Sequence, residues 1–124
     1  MEKERVTERE QVSVFLEDRP GSLAEVIRIL AEANIEIEAL LFTESNGLKV
    51  LRLVVDDHDG ARRVLLDCGF IVGRSKVLVI EGLQKLREVL RLLQKEQIDI
   101  SYMYTSKKAF EGGLLYVLKK SSKR

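Results

Sequence analysis

Proline, cysteine, histidine and tryptophan are nearly missing from this chain of 124 residues. It contains one proline, one cysteine and one histidine, and it contains no tryptophan. The single cysteine, Cys68, excludes an intramolecular disulfide, so the cytoplasm is the expected compartment. Most nucleophile–base pairs cannot be built from one histidine and one cysteine, and neither a glycine-rich phosphate loop nor a paired-cysteine metal spacing occurs. The sequence therefore predicts no catalytic residue, no metal site and no cofactor.

Neither basic nor acidic residues predominate in the chain, and it contains no long apolar run. The chain has 21 Lys and Arg against 20 Asp and Glu, for a net charge of +1, which argues against nucleic acid as a partner. No window approaches the roughly 18 apolar residues of a membrane span, and residues 1–11 lack the apolar run of a secretory signal. No membrane partner is expected, and the basic end at 119–124 is interpreted as a solvated tail.

An internal repeat is the main positive feature of the sequence. Residues 12–55, shifted by 63 positions, match residues 75–118 without a gap. The identities cluster in one short stretch and comprise Leu23/Leu86, Glu25/Glu88, Val26/Val89, Arg28/Arg91, Leu30/Leu93, Ile35/Ile98 and Ile37/Ile100. Two copies of one small fold are therefore predicted.

Apolar alternation in the first copy predicts strands at 12–16, 35–43, 48–55 and 70–72, with a hairpin turn at Ser45-Asn46-Gly47. A first helix is expected to start with a capping box formed by Ser22 and Glu25 and to end at Asn34. A second helix is expected to follow the acids at 56–59 and to bury Cys68. The order β-α-β-β-α-β predicts an α+β, ferredoxin-like unit with an antiparallel sheet and the strand order 4-1-3-2.

The second copy is predicted to be a truncated β-α-β-β unit. Its strands are expected at 77–80, 98–102 and 114–118, its helix is lined by Leu83 to Leu93, and turns are expected at 107–108 and 112–113. Because 73–76 suits a hairpin, strand 70–72 is predicted to pair with strand 77–80. One seven-stranded sheet in the order 2-3-1-4-1′-3′-2′ would result. Two half-sheets packed face to face are the alternative.

The segments Val-Ser-Val-Phe-Leu-Glu-Asp-Arg-Pro-Gly-Ser-Leu-Ala-Glu-Val from Val12 to Val26 and Ile-Leu-Ala-Glu-Ala-Asn-Ile-Glu-Ile from Ile29 to Ile37 resemble an ACT domain. The resemblance covers residues 11–73 as a first domain and, more weakly, 75–118 as a second, truncated one. It implies a regulatory module that binds amino acids and forms homo-oligomers, with the ligand between the first strand–helix loop of one unit and the second strand of another. The ligand-binding residues it implies are Asp18, Arg19, Pro20, Gly21, Ser22, Leu23, Asn34, Ile35 and Glu36.

The chemistry of the loop agrees with that implication. The unpaired N–H groups at a helix start suit a ligand carboxylate, Gly21 permits close approach, Pro20 fixes the loop, and Asp18 could accept the ammonium. A plain tight turn capped by Asp18 is the alternative. Serine-binding members of the family carry histidine and asparagines where this chain has Leu16, Asp18 and Glu36. The two acids, Asp18 and Glu36, suggest a more cationic ligand than serine. The alternative is that Glu36 faces solvent.

The gap-free repeat places Glu81, Leu83 and Gln84 at the positions of Asp18, Pro20 and Gly21, so the second copy is expected to support the first and not to bind. His58 is interpreted as part of a helix cap, with metal ligation as the alternative. Tyr102 and Tyr104 are interpreted as interface packing, with ligand or partner stacking as the alternative.

A stand-alone amino-acid-binding regulator that is not an enzyme is the function favoured by the sequence. A first alternative is an ACT-like scaffold for protein–protein association without a metabolite. A second is a small ferredoxin-like enzyme such as an acylphosphatase; Arg19 lies in a suitable loop for it, but the rest of the pattern is absent.

Overall fold

The computed structural model describes residues 5–106 and 114–121. In chain order the described elements are β1 (Val6–Leu16), α1 (Ser22–Glu32), β2 (Ile37–Ser45), β3 (Leu48–Val55), α2 (His58–Asp67), β4 (Ile71–Glu81), α3 (Leu83–Lys95), β5 (Ile100–Thr105) and β6 (Leu115–Lys120). The strands form an antiparallel sheet in the order β2-β3-β1-β4-β6-β5. The predicted α+β, ferredoxin-like fold is confirmed. None of the helices in the described ranges has both the length and the apolar character that crossing a membrane requires.

Residues 10–75 make up one compact unit. Its two helices cover the same face of the sheet, because their apolar stripes pack with the even-numbered side chains of β1 and the odd-numbered ones of β3. The core comprises Val12, Val14, Leu16, Val26, Ile29, Leu30, Ile35, Leu51, Leu53, Val55, Ala61 and Leu65. Asn46 and Gly47 connect β2 to β3 with positive φ angles of 53° and 81°, as expected of the predicted hairpin turn.

The remaining described residues form the second compact unit. Here α3 packs on β4 and β6 through the buried residues Ile80, Leu86, Val89, Leu93 and Leu118, whereas Leu83 is 63% exposed. β6 continues through Lys119 and Lys120, so the prediction of a solvated tail is wrong for these two residues. The turns predicted at 107–108 and 112–113 lie outside the described residues.

The predicted hairpin at 73–76 is wrong. Residues 71–81 form one uninterrupted strand, β4, so the described part of the chain contains a six-stranded sheet in place of the predicted seven-stranded one. Gly73 does not have a positive φ, and a Cβ atom at this position would lie 3.7 Å from the Phe15 ring. Gly73 therefore serves as a strand residue beside an aromatic ring and does not turn the chain.

The repeat is visible in the backbone geometry. Both α1 and α3 end at a left-handed residue, Asn34 with φ 58° and Gln97 with φ 59°. The amides of Ile35 and Ile98 bond back to the carbonyls of Leu30 and Leu93, which is the Schellman arrangement. β2 and β5 also share a shift in pairing register near their start. The shift lies at 37–39 in the pairing of β2 with β3 and at 100–102 in the pairing of β5 with β6.

The two copies differ where the first strand meets the first helix. Residues 17–21 separate β1 from α1, whereas Gly82 alone separates β4 from α3. Gly21 and Gly82 are the N-cap residues of these helices. As an N-cap, Gly21 therefore corresponds to Gly82, whereas the shift of 63 positions, which the C-terminal ends of α1 and α3 retain, aligns Gly21 with Gln84. The second copy has lost the loop itself, beyond the loss of its Pro-Gly pair.

Candidate functional site

Ser22, the first residue of α1, closes the loop at 17–21 by bonding to the first loop residue. The Ser22 hydroxyl donates to the Glu17 carbonyl oxygen at 3.0 Å, and Ser22 is only 3% exposed. Gly21 is the N-cap of α1 with φ 90°, and it makes no side-chain cap bond. The predicted capping box of Ser22 and Glu25 is wrong, because the serine hydroxyl donates to the Glu17 carbonyl and the glutamate is bound to an arginine.

That arginine is Arg19. Its Nε donates to Glu17 Oε1 at 2.8 Å, and its Nη2 donates to Glu25 Oε1 at 3.0 Å. These two bonds, the Glu17 bond first, raise the pKa of Arg19 above its ordinary value. Half of the Arg19 side chain is exposed, so the loop presents a guanidinium flanked by two carboxylates to solvent.

Asp18, which is predicted to accept a ligand ammonium, forms an ion pair in this structure. Its Oδ1 pairs with Lys49 Nζ at 3.0 Å, and a Cβ at Gly47 would lie 3.9 Å from its other oxygen. Asp18 therefore fastens the loop to the β2–β3 hairpin. Its negative charge is compensated by Lys49, which leaves Glu17 and Glu25 as the acids beside Arg19.

A cleft opens next to this loop, within the unit of residues 10–75. It has a volume of about 200 Å³ and is lined by Phe15, Glu17, Arg19, Ser22, Glu25, Cys68, Gly69, Phe70 and Ile71. A water-sized group needs roughly 10–15 Å³, so the cleft has room for a ligand of about thirteen to twenty non-hydrogen atoms. Such a volume suits a small metabolite.

The far wall of the cleft was not predicted. Cys68 is exposed and caps the C-terminus of α2, so the prediction that it is buried in the core is wrong. Gly69, with φ 91°, turns the chain away from the helix. The Cys-Gly pair signals only a helix end, and nothing in the sequence indicates that this end lies opposite the loop at 17–21.

The predicted ligand residues fall into two groups within the unit. Arg19 and Ser22 line the cleft, Pro20 and Gly21 are exposed loop residues beside it, and Leu23 packs against the core. Asn34, Ile35 and Glu36 follow the other end of α1. The Ile35 side chain is buried, and the Glu36 amide donates to Asp56 Oδ1 at 2.9 Å.

α1 has 11 residues, which separates its two ends by about 16 Å at 1.5 Å per residue. The loop and residues 34–36 of one unit therefore do not form one site with each other.

The second unit offers no equivalent loop. Of the described residues that line the groove of about 470 Å³ between the end of α3 and the start of β5, Asp99 alone is charged.

His58 begins α2, and Asp57 caps that helix by accepting from the Gly60 amide at 3.0 Å. The interpretation of this acidic segment as a cap is confirmed through Asp57. His58 Nε2 lies 3.9 Å from Glu10 Oε1, and both ring nitrogens are buried without a hydrogen-bond partner. Burial lowers the pKa of His58, opposed by the nearby Glu10 carboxylate. Among residues 5–106 and 114–121, no group of acidic, His or Cys side chains is arranged to hold a metal ion.

Tyr102 and Tyr104 stack on each other, with ring centroids 6.3 Å apart and an interplanar angle of 26°. Tyr104 is buried at 8% exposure. The Tyr104 ring therefore packs within the protein and is not displayed to a ligand.

A family model described as an ACT domain pair matches residues 7–123. The chain belongs to the ACT domain pair family. No sequence among curated proteins matches this ACT domain pair. A solved protein from Bacteroides thetaiotaomicron is similar to it, with 33% identity over 94% of this chain and 82% of that one and a TM-score of 0.80.

More distant structures share the fold of this ACT domain pair. The regulatory subunit of aspartate kinase from Thermus thermophilus is 17% identical, covers 92% of this chain and 86% of its own, and has a TM-score of 0.59. Aspartate kinase from Synechocystis is also 17% identical, with 94% of this chain matched to 23% of that chain and a TM-score of 0.56.

Proposed function

We propose that this ACT domain pair is a cytoplasmic regulatory module, not an enzyme, that binds a free amino acid or a similar small metabolite beside the β1–α1 loop of its first unit. The observation that carries the proposal is the cleft next to Arg19, where a guanidinium, two carboxylates and apolar side chains surround a space of metabolite size. The second unit lacks the loop, so one ligand site per chain is expected.

The ends of an amino acid correspond to groups in this cleft. A ligand carboxylate would bind the Arg19 guanidinium and the amides in the first turn of α1. The first intrahelical hydrogen bond of α1 runs from the Glu25 amide to the Gly21 carbonyl. The amides of Leu23 and Ala24 precede it and therefore have no acceptor within the helix. An ammonium would take the oxygens of Glu17 and Glu25. Apolar groups of the ligand would contact Phe70 and Ile71 in the opposite wall.

The remaining predicted residues, Asn34, Ile35 and Glu36, would join this site only if another copy of the chain supplied them. The resemblance implies such an arrangement, in which the loop of one unit meets the second strand of another. The proposal therefore includes a homo-oligomer as the working form of the protein.

Cys68 provides the test. It is the only cysteine of the chain, it is exposed, and it lines the cleft. A ligand in the cleft should slow the reaction of this thiol with a chromogenic disulfide reagent. The labelling rate is measured with each of the twenty amino acids in turn, together with thermal unfolding, in which a ligand at 100 times its dissociation constant adds about 2.7 kcal/mol of stability.

A matched pair of arginine variants identifies the site. Arg19→Gln should abolish the protection of Cys68. Arg28→Gln should retain it, because Arg28 pairs with Glu32 at 3.0 Å on the exposed side of the same helix. If no amino acid slows labelling at millimolar concentration, or if both variants lose protection equally, the proposal is wrong.

The scaffold function keeps one observation in its favour. β2 lies at an edge of the sheet and exposes Leu40 and Phe42 at 48% and 38%, and an apolar edge strand favours pairing with another chain. Association that proceeds through this edge while no amino acid protects Cys68 would support the scaffold over the sensor.

A further inference from the structure

The charges that face the cleft are unequal in number. Glu17, Glu25 and Arg19 line it, and the neighbouring Asp18 is compensated by Lys49. The cleft therefore presents two carboxylates and one guanidinium. Arg19 is bound to both acids and compensates the charge of one of them.

A ligand that enters this cluster has to exchange partners with it. A ligand with one carboxylate and two cationic groups lets every charge be paired again, because its carboxylate takes Arg19 and its cations take Glu17 and Glu25. A neutral amino acid has a single cation and leaves one glutamate without a partner. An acidic amino acid adds a second carboxylate to a site that already has two, and like charges at close range repel.

We infer that the ligand of this site is a basic amino acid, that is, an α-amino acid with a second cationic group at the end of an aliphatic side chain. The inference rests on the proposed function and specifies the ligand class of the same cleft. The apolar wall agrees with it, because Phe15 and Ile71 line the cleft at 39% and 70% exposure. A hydrocarbon stem could cover these side chains while its charged end stays with the glutamates.

The preference has an expected size. The side chains of Glu17, Arg19 and Glu25 are 77%, 49% and 38% exposed, so solvent and salt screen their charges. An exposed ion pair then favours the basic ligand by roughly two- to fivefold in affinity. The advantage should shrink when the salt concentration is raised from about 0.05 to about 0.5 M.

The experiment compares L-lysine with L-norleucine, which has the same carbon chain without the ε-ammonium group, and with L-glutamate. Dissociation constants are measured on the full chain by calorimetry at low salt, and the labelling rate of Cys68 is measured with each compound. L-lysine should bind two- to fivefold more tightly than L-norleucine, L-glutamate should bind most weakly, and L-lysine should protect Cys68.

Two glutamate variants of α1 complete the design. Glu25→Gln should remove most of the difference between L-lysine and L-norleucine. Glu32→Gln, which removes an exposed carboxylate paired with Arg28 at the far end of the helix, should preserve it. Equal affinities for the two compounds, with Cys68 protected by both, would overturn the basic-ligand inference and leave amino-acid binding in place. Cys68 protected by none of the three compounds would overturn the inference, and an equally negative screen of all twenty amino acids would overturn the proposed function as well.

Discussion

Arg19 illustrates how one side chain decides the character of the site. The Asp-Arg-Pro-Gly sequence directs attention to Asp18 as an acceptor and to Gly21 as the point of close approach. In the structure Asp18 is bound to Lys49, and Arg19 holds Glu17 and Glu25 together at the mouth of the cleft. The loop is thus rigidified by ion pairs that a charged ligand can exchange, in addition to the fixed φ of Pro20.

Gly21 provides a prediction at this scale. A Cβ atom at Gly21 would meet no atom within 4 Å, but its φ of +90° is a conformation that L side chains rarely adopt. Gly21→Ala should therefore lower the free energy of unfolding by about 1–2 kcal/mol through backbone strain alone. Gly73→Ala is the control, since Gly73 is a strand residue with ordinary van der Waals space, and it should be neutral or stabilising by up to about 1 kcal/mol. Urea unfolding measures both, and equal effects of the same sign would contradict the prediction.

His58 provides a second residue-scale prediction. Burial holds the pKa of His58 below 6.5 in the folded state. Near pH 6 the unfolded chain therefore binds more protons than the folded protein does. As a result, the free energy of unfolding should fall as the pH drops from about 7.5 to about 5. Glu10 on β1 and Asp59 on α2 oppose the shift, and Arg62 on α2 and Arg74 on β4 support it. The urea midpoint of the wild-type protein should fall more steeply over this range than that of His58→Gln. Parallel curves would show that His58 does not contribute.

At the scale of elements, local patterns predicted most of the fold. Alternation located β1 and β3, the Asn46-Gly47 pair located the hairpin, and Asn34 located the end of α1, because each of these depends on a few neighbouring residues. β4 could not be predicted in the same way. Its residues 73–76 contain a glycine and three polar residues, which are typical of a turn, and nothing within this segment indicates that the strand continues through it.

Helix α2 yields a prediction that couples two residues. The Asp57 side chain caps the helix through the Gly60 amide, and a Cβ atom at Gly60 would overlap that carboxylate. Alanine in place of glycine usually stabilises a helix by about 1 kcal/mol. Gly60→Ala should also displace the Asp57 cap, whose loss costs about 1 kcal/mol. The two effects should cancel, so the substitution should not raise the free energy of unfolding. In an Asp57→Ala background the same substitution should stabilise. A double-mutant cycle from urea unfolding checks the change, and additive effects would refute the coupling.

The candidate site was only partly predictable because it combines distant segments. The sequence located the loop at 18–23, where a short motif carries the signal. It did not locate the wall at 68–71, which reaches the loop only through the packing of α2 beside α1 on the same face of the sheet. It also assigned residues 34–36 to a site shared between two units, and the length of α1, which separates these residues from the loop within one unit, is compatible with that prediction.

At the scale of the whole molecule, the separation of the two groups of predicted ligand residues favours an oligomer. β2 is an edge strand that pairs only with β3 among the described residues, and it exposes Leu40 and Phe42. Burying these side chains against a second copy removes apolar surface from water and pairs the open backbone edge. The same association is the route by which Asn34–Glu36 of one chain could approach the loop of another.

Light scattering tests this last prediction. At tens of micromolar, the wild-type chain of 14.2 kDa should have at least twice its monomer mass, and Leu40→Lys should shift it toward the monomer, because a charge at an edge strand opposes pairing. Leu92→Lys is the matched control, since Leu92 is 61% exposed on α3 of the second unit, and it should leave the mass unchanged. A wild-type monomer both with and without L-lysine would exclude the dimer. Loss of the dimer in Leu92→Lys alone would place the interface on the second unit.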